Sequence, residues 1–219
     1  MRSLRWHKLI SQLGLYAAAA AVAVFVLAPF AWLVISSVAS SADLLSKPLH
    51  WWPQNASLAR YWAIFTSTDT GAAAYTFRHA LWNSIRVAAL STFIAMVTGV
   101  PAAYALARFR FRGRSLLTLT FLGSYMLPPI ALTIALYLIL GILGLRDTVL
   151  GLSLVYSSFV TPYVVWVMRG AFTAIPVELE EAAWVDGASR FGAFRRIALP
   201  LTRPGLVTTV ILAVLTAWD

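Results

Sequence analysis

Residues 80–114 read ALWNSIRVAALSTFIAMVTGVPAAYALARFRFRGR, and this stretch decides the fold. From Val87 to Ala107 no side chain carries a charge; Arg108, Arg110, Arg112 and Arg114 then follow within seven residues. A helix needs about 20 predominantly apolar residues to cross a bilayer, and the run 80–107 meets that length. The arginines stop it abruptly, as expected of a turn on the cytoplasmic side, where basic residues accumulate. Arg86 sits near the other end of the run, where a long side chain reaches the headgroups instead of meeting the ~2.5–3.5 kcal/mol cost at the bilayer centre.

The rest of the chain repeats this pattern. Hydrophobic residues make up 60% of the 219 positions and charged residues 11%, against about 45–50% and about 25% in soluble domains, so the excess apolar surface requires lipid as its solvent. The expected fold is all-α, a polytopic transmembrane helical bundle, read as one domain over 1–219. A first span has its apolar heart at 13–38, preceded by Arg2, Arg5 and Lys8. That start resembles a secretory signal, but the apolar region exceeds the about 7–15 residues of one and reads as an uncleaved anchor. Pro29 is expected to kink it. Residues 43–79 are mixed, opened by Pro48, Trp51, Trp52 and Pro53 and broken by Asp69-Thr70-Gly71. Within them 57–65 form a short amphipathic helix with Trp62 at headgroup level. The Asn55-Ala56-Ser57 tripeptide matches a glycosylation acceptor, a pattern too common to carry weight.

A third span covers 116–140, interrupted by Pro128-Pro129, and a fourth 148–168, interrupted by Pro162. Paired prolines at membrane depth leave carbonyls without helical donors, which is tolerated where the backbone lines a wet cavity or packs on protein. Either reading fits: a place near a translocation route, or a kink packed on a neighbour. A fifth apolar run starts at Leu206 and stops at Asp219 in mid-span, so about five spans of an expected six are present and the chain is expected to be a fragment. The N-terminus, the 108–114 turn and the 169–205 loop hold twelve of the seventeen Lys and Arg. All three fall on one side if the spans alternate, which places the N-terminus in the cytoplasm. The net charge of +9 is thus a topology signal and not a nucleic-acid surface.

The loop 169–205 is the most charged insertion between spans. Pro176 is placed in a first helical turn, with Glu178, Glu180 and Glu181 close behind, where acids favour the positive end of the helix dipole. Ala182, Ala183 and Val185 give this helix small and apolar positions, and Gly187 provides a break. A second short helix follows over 189–198 with a basic face of Arg190, Arg195 and Arg196; Pro200 ends it and Pro204 restarts the chain into the fifth run. On amphipathicity alone this elbow reads equally as an interfacial hairpin with no partner.

The run Glu181-Ala182-Ala183, three residues, Gly187, nine residues, Ile197-Ala198-Leu199-Pro200 resembles the EAA motif of permease subunits in bacterial ATP-binding-cassette importers. The context Glu178-Leu179-Glu180-Glu181-Ala182-Ala183 with Asp186-Gly187-Ala188-Ser189 is similar to the carbohydrate-importing, maltose-permease-type branch. Asn83-Ser84, Leu127-Pro128-Pro129 and Gly144-Leu145-Arg146-Asp147-Thr148 extend the resemblance over nearly the whole chain. The resemblance implies a multi-pass permease of the bacterial inner membrane, forming a sugar or oligosaccharide pathway with a second permease half. It implies ATPase subunits docked on Glu181, Ala182, Ala183, Asp186 and Gly187, with Pro176, Ile197, Leu199 and Pro200 shaping the coupling loop. An extracytoplasmic solute-binding protein and membrane lipids complete the partners, with no nucleic acid. Two departures stand out: a sixth span is missing, and Trp218-Asp219 replaces the usual Trp-Asn.

By this reading the chain is no enzyme and binds no cofactor or metal of its own. No G-x-x-x-x-G-K-[ST] loop exists, and Lys8 and Lys47 follow no glycine run, so ATP is expected on a partner. The absence of cysteine removes thiolate chemistry. His7, His50 and His79 lie outside the span centres, which excludes a histidine relay, a hydrolase site or an H-E-x-x-H metal site at membrane depth. The alternatives are a permease for another neutral or amphiphilic solute on the same scaffold, and a non-ABC membrane channel, which would give no reason for the elbow. From Val87 to Met168 the charges are confined to the 108–114 turn and the outer Arg146-Asp147 pair, which favours a neutral polar solute. Tyr104, Ser124, Tyr125, Tyr137, Tyr156, Ser157, Thr161 and Tyr163 supply hydroxyls and aromatic faces suited to a sugar, most of them with packing or interhelical roles.

Overall fold

The computed structural model describes residues 2–47 and 51–218, side chains 1–11 and Tyr125 excepted. Expectations placed on Pro48, His50 and Asp219, and on the side chains of Arg2, Arg5, His7, Lys8 and Tyr125, lie outside it. The described residues form helices joined by turns and irregular segments, without a strand among them. They form two compact units, one ending at His79 and the other beginning at Ala80.

In the first unit, α1 (Arg2–Val38) is a single helix that runs through Pro29. Its stretch Gln12–Val38 is long and apolar enough to cross a membrane and buries none of its most apolar window; Phe25, 82% exposed, is typical. Lipid is the solvent such a surface requires. Beyond it α2 (Ser41–Leu45) is capped by Ser40, whose Oγ accepts from Asp43 N and donates to the buried Asp43 carboxylate at 2.9 Å. The amphipathic helix expected at 57–65 forms as α3 (Ala59–Thr66), with Trp62 exposed.

The core of the second unit is one buried cluster shared by residues of α4 (Ala73–Arg108; the unit takes it from Ala80), α7 (Val149–Thr173) and α11 (Arg203–Trp218), with α5 (Arg114–Tyr125) also packed on α7. Small side chains make this packing possible: Ala95, Ala103 and Ala213 are fully buried, as expected where helix backbones approach closely. At Gly99 an added Cβ would stand 2.7 Å from Val164 Cγ1. α4 begins seven residues before the run predicted from sequence, because Ala73 and Ala74 continue the helix back toward the Asp69-Thr70-Gly71 turn. Arg86 lies over the Trp82 ring at 5.3 Å, a contact available to a side chain that snorkels outward.

The prolines divide into two kinds. Pro128 and Pro129 do break the third span: α5 (Arg114–Tyr125) and α6 (Pro129–Ile142) meet at 97°. Pro128 is held extended (ψ 123°) by the proline after it, and Pro129 opens α6 at a position where no N–H is needed. Pro162 does not interrupt the fourth span. α7 runs unbroken through it, with Pro162 buried beside Val160, Val164 and Val165; packing on both sides holds the helix across the one missing hydrogen bond.

Between α6 and α7 the chain turns through Gly144 (φ 67°) and Asp147 (φ 55°), and Thr148 caps α7 by accepting from Gly151 N at 3.0 Å. Arg146 does not pair with Asp147; it stacks on Tyr137 at 4.3 Å and donates from Nε to the Tyr137 carbonyl. A Cβ at Gly151 would run into the Leu145 carbonyl. Among the described residues three helices, α1, α4 and α7, are long and apolar enough to cross a membrane; the bent pairs Arg114–Ser124 with Pro129–Ile142 and Arg190–Leu201 with Arg203–Trp218 (76°) bring the number to as many as five if each counts as one span.

Candidate functional site

The elbow is built by α8 (Glu178–Val185), α9 (Arg190–Ala193), a π-helical turn (Phe194–Ala198) and α10 (Leu199–Leu201), which leads into α11. Pro176 lies outside α8, two residues before its start: Val177 is the cap, and its carbonyl accepts from Glu180 N and Glu181 N. Proline at 176 therefore ends the linker from α7, and the acids of the first turn begin at Glu178, directly after the cap. Asp186 N closes on Ala182 O and Gly187 N on Trp184 O, after which Gly187 turns the chain at φ 86°. Ser189 opens α9, its Oγ accepting from Gly192 N at 3.0 Å.

Pro200 does not end the second helix. The helical run continues to Leu201 and breaks at Thr202. The reason is the π-turn: Leu199 N donates to Phe194 O, five residues back, so the backbone is already widened where Pro200, lacking an N–H, enters.

Glu180 anchors α8. It is fully buried, and its Oε1 accepts from Arg108 Nε at 2.7 Å while its Oε2 accepts from Tyr104 Oη at 2.5 Å. Arg108 also donates from Nη2 to Ile175 O at 3.0 Å. This is the one ion pair among the described residues. One carboxylate thus ties α8 to the end of α4, and one guanidinium ties α4 to the linker behind α8. Below the lock Tyr104 meets Phe172 of α7 edge-on at 5.4 Å and Phe194 of the π-turn at 4.6 Å. Arg190 lies over Trp184 at 5.0 Å and over Phe109 at 5.7 Å, so the start of α9 is held against α8 and the turn after α4.

The residues singled out from the sequence separate into two sets. Ala183, Asp186, Gly187 and Ile197 line one groove of about 280 Å³ between α8 and α9. Glu181 and Ala182 face outward, exposed, as does Val185 at 88%. Leu199 and Pro200 are half-buried at the root of α11 and do not reach the groove. Arg195 and Arg196 are exposed, as a basic face requires. The lock itself escaped the sequence reading: Tyr104 was grouped with solute hydroxyls, and Arg108 was read only as a topology charge. Both are committed to Glu180 instead. Residue order carries no local signal for the lock: Glu178, Glu180 and Glu181 share one first turn, and the partners of Glu180 lie 72 and 76 residues away.

The hydroxyls proposed for a solute are mostly spent on their own helices: Ser124 Oγ donates to Thr120 O, Ser157 Oγ to Leu154 O and Thr161 Oγ1 to Ser157 O. Tyr137 and Tyr156 instead line a cavity of about 390 Å³ between α6, α7 and α11, with Pro129, Thr133 and Thr216 and no charged side chain.

Residues 95–219 match the family described as binding-protein-dependent transport system inner membrane component. The chain belongs to this family. This inner membrane component is 34% identical over 191 residues to the sulfoquinovosyl glycerol transport system permease protein of Agrobacterium fabrum, covering 87% of the chain and 65% of that protein. It is 31% identical over 213 residues to the trehalose/maltose transport system permease protein of Thermococcus litoralis, covering 97% of the chain and 74% of that protein. A probable ABC transporter permease protein of Bacillus subtilis is 35% identical over 195 residues, and the chain spans 61% of its length. A crystal structure of a bacterial ABC transporter involved in the import of the acidic polysaccharide alginate superposes with a TM-score of 0.79 at 23% identity, over 95% of this chain and 71% of that one. At that identity the likeness is one of fold.

Proposed function

We propose that this inner membrane component forms, with a second permease half, the pathway of an ATP-driven importer for a neutral solute of the sugar class. ATPase subunits dock on the elbow in the cytoplasm, an extracytoplasmic solute-binding protein delivers the solute, and no cofactor is bound by the chain itself. The N-terminus lies on the same side as the elbow, in a bacterial inner membrane.

The observation that carries this reading is the division of α8 into a fixed and a free side. Glu180 is locked to α4, while Glu181, Ala182, Val185 and Asp186 stand exposed. A force applied to the free side cannot be absorbed by rotation of α8 alone; it passes through the Glu180–Arg108 pair into the end of a helix long enough to span the membrane. The two alanines let a partner helix or cleft approach closely, and Glu181 and Asp186 offer charge-assisted hydrogen bonds. The uncharged cavity carrying Tyr137 and Tyr156 supports a neutral polar solute. Relatives named for trehalose/maltose and for sulfoquinovosyl glycerol transport support the sugar class; neutrality rests on the uncharged cavity alone, since the sulfonate of the second solute is an anion.

The test uses the absence of cysteine from these 219 residues, with any cysteine elsewhere in the full-length protein replaced by serine. In the full-length protein co-expressed with its ATPase, Ala182→Cys is expected to give a bifunctional-maleimide adduct with the ATPase whose yield changes with ATP. Ala182 serves better than Ala183, which is half-buried in the groove. Labelling of that thiol from outside the cell, or no adduct at any exposed position of α8, sinks the reading.

A further inference from the structure

The ends of α5 and α7 enclose a second basic feature that the elbow does not use. A cavity of about 750 Å³ is lined by Arg114, Ser115 and Thr118 of α5, by Arg169 of α7 and by the apolar Leu116 and Leu119. A further cavity of about 480 Å³ is lined by the same arginine together with Trp166, Gly170 and Thr173. The Arg169 Nε is buried and has no hydrogen-bond partner, and no carboxylate lines either cavity. Arg108, a few residues along the same turn, shows the contrast: its guanidinium is satisfied by Glu180 and the Ile175 carbonyl. A buried guanidinium N–H without an acceptor is costly, and an anion is the group that removes that cost.

The surroundings specify the anion. Leu116 and Leu119 are 69% and 61% exposed and Trp166 is 59% exposed, so apolar side chains and an aromatic ring of the kind found at membrane interfaces flank the two arginines. We propose that Arg114 and Arg169 form a site for the phosphodiester of an anionic glycerophospholipid, with Ser115 as a further donor and the acyl chains lying along Leu116 and Leu119. Basic pockets between spans are suited to such headgroups. That the lipid belongs to the inner leaflet rests on the proposed function, which puts this end of the unit in the cytoplasm; the site itself does not depend on transport. A transporter that works but lacks the lipid preference overturns this proposal alone.

The experiment takes the assembled complex carrying the full-length chain, reconstituted in nanodiscs of equal parts phosphatidylglycerol and phosphatidylcholine. Retained lipid is counted by native mass spectrometry after detergent extraction. The preference for phosphatidylglycerol is expected to fall about fivefold in Arg114→Gln and in Arg169→Gln and about 25-fold in the double variant, while Arg195→Gln/Arg196→Gln, which removes the same charge from the exposed elbow, retains it. An unchanged preference in the double variant overturns the site, as does an equal loss in the elbow control, which would mean bulk charge. Inorganic phosphate binding to the same complexes is followed in parallel by isothermal titration calorimetry; its loss in the double variant with the phosphatidylglycerol preference retained also overturns the proposal, in favour of a free anion. Should Arg169→Gln not assemble, Arg114→Gln alone decides between the same outcomes.

Discussion

Glu180 and Glu181 are chemically identical neighbours in one short helix, yet one is fully buried and the other exposed. One residue is about 100° of helix rotation, enough to turn a carboxylate from solvent into the side of α4. The burial is tolerated because both oxygens are paired, one with Arg108 and one with Tyr104. Removing one partner of such a set leaves a buried charge uncompensated, which costs about 3–5 kcal/mol. Glu180→Ala is therefore expected to lower the unfolding midpoint and the yield of assembled complex sharply, whereas Glu181→Ala should shift stability by no more than about 0.5 kcal/mol. Thermal unfolding of the purified complex checks both. Replacing the whole set with apolar side chains, Tyr104→Phe/Arg108→Met/Glu180→Met, should recover most of the loss. If it recovers none, the lock is not electrostatic. Gly187 is a second single-residue determinant: at φ 86° a side chain costs about 1–2 kcal/mol, so Gly187→Ala should weaken cross-linking from Ala182→Cys by distorting the turn that presents α8.

At the scale of elements, the packing of α4 on α7 is set by what is missing at Gly99. The Val164 side chain occupies the space a Cβ would need, and interiors do not yield to extra methyl groups without strain. Gly99→Ala is expected to destabilise by about 1–3 kcal/mol, and Gly99→Ala/Val164→Ala to be less destabilised than Gly99→Ala alone. A double variant worse than the sum of the two singles in thermal melts would refute the close approach. Helix existence was legible here, since charge-free runs bounded by arginines announce spans. Helix continuity was not. Pro128 and Pro162 look alike as letters, but two adjacent prolines impose an extended residue and break the chain, while one buried proline is carried by its neighbours. Pro200 escaped for a related reason: a π-turn precedes it, and nothing in residue spacing announces that backbone adjustment.

For the whole molecule, the uncharged cavity between α6, α7 and α11 and the lock at the elbow belong to the same unit and share α7. Phe172 of α7 packs on Tyr104 at the lock, and Tyr156 of the same helix lines the cavity. A displacement of α8 therefore has a continuous helix along which to reach the cavity. If Tyr156 contacts the solute, Tyr156→Phe should reduce uptake kcat/KM by about three- to tenfold through loss of one hydrogen bond, and Tyr156→Ala further through loss of the ring. Solute uptake by the full-length complex, alongside ATP hydrolysis, measures this. Equal uptake in all three proteins removes Tyr156 from the pathway.

Residue order alone determined that the chain is a bundle of membrane helices, where most of them run and where the polar elbow lies, because lipid imposes a length and a charge rule that can be read one residue at a time. It also placed the docking candidates around Glu181, since small residues and a glycine in fixed register define a helix and a turn locally. Only the tertiary structure decided which acid is buried, that Arg108 and Tyr104 answer it from 72 and 76 residues away, and that Ala183 lines a groove while Ala182 does not. Those outcomes depend on the rotation and approach of helices far apart in the chain, which side-chain packing between them sets and no local pattern encodes.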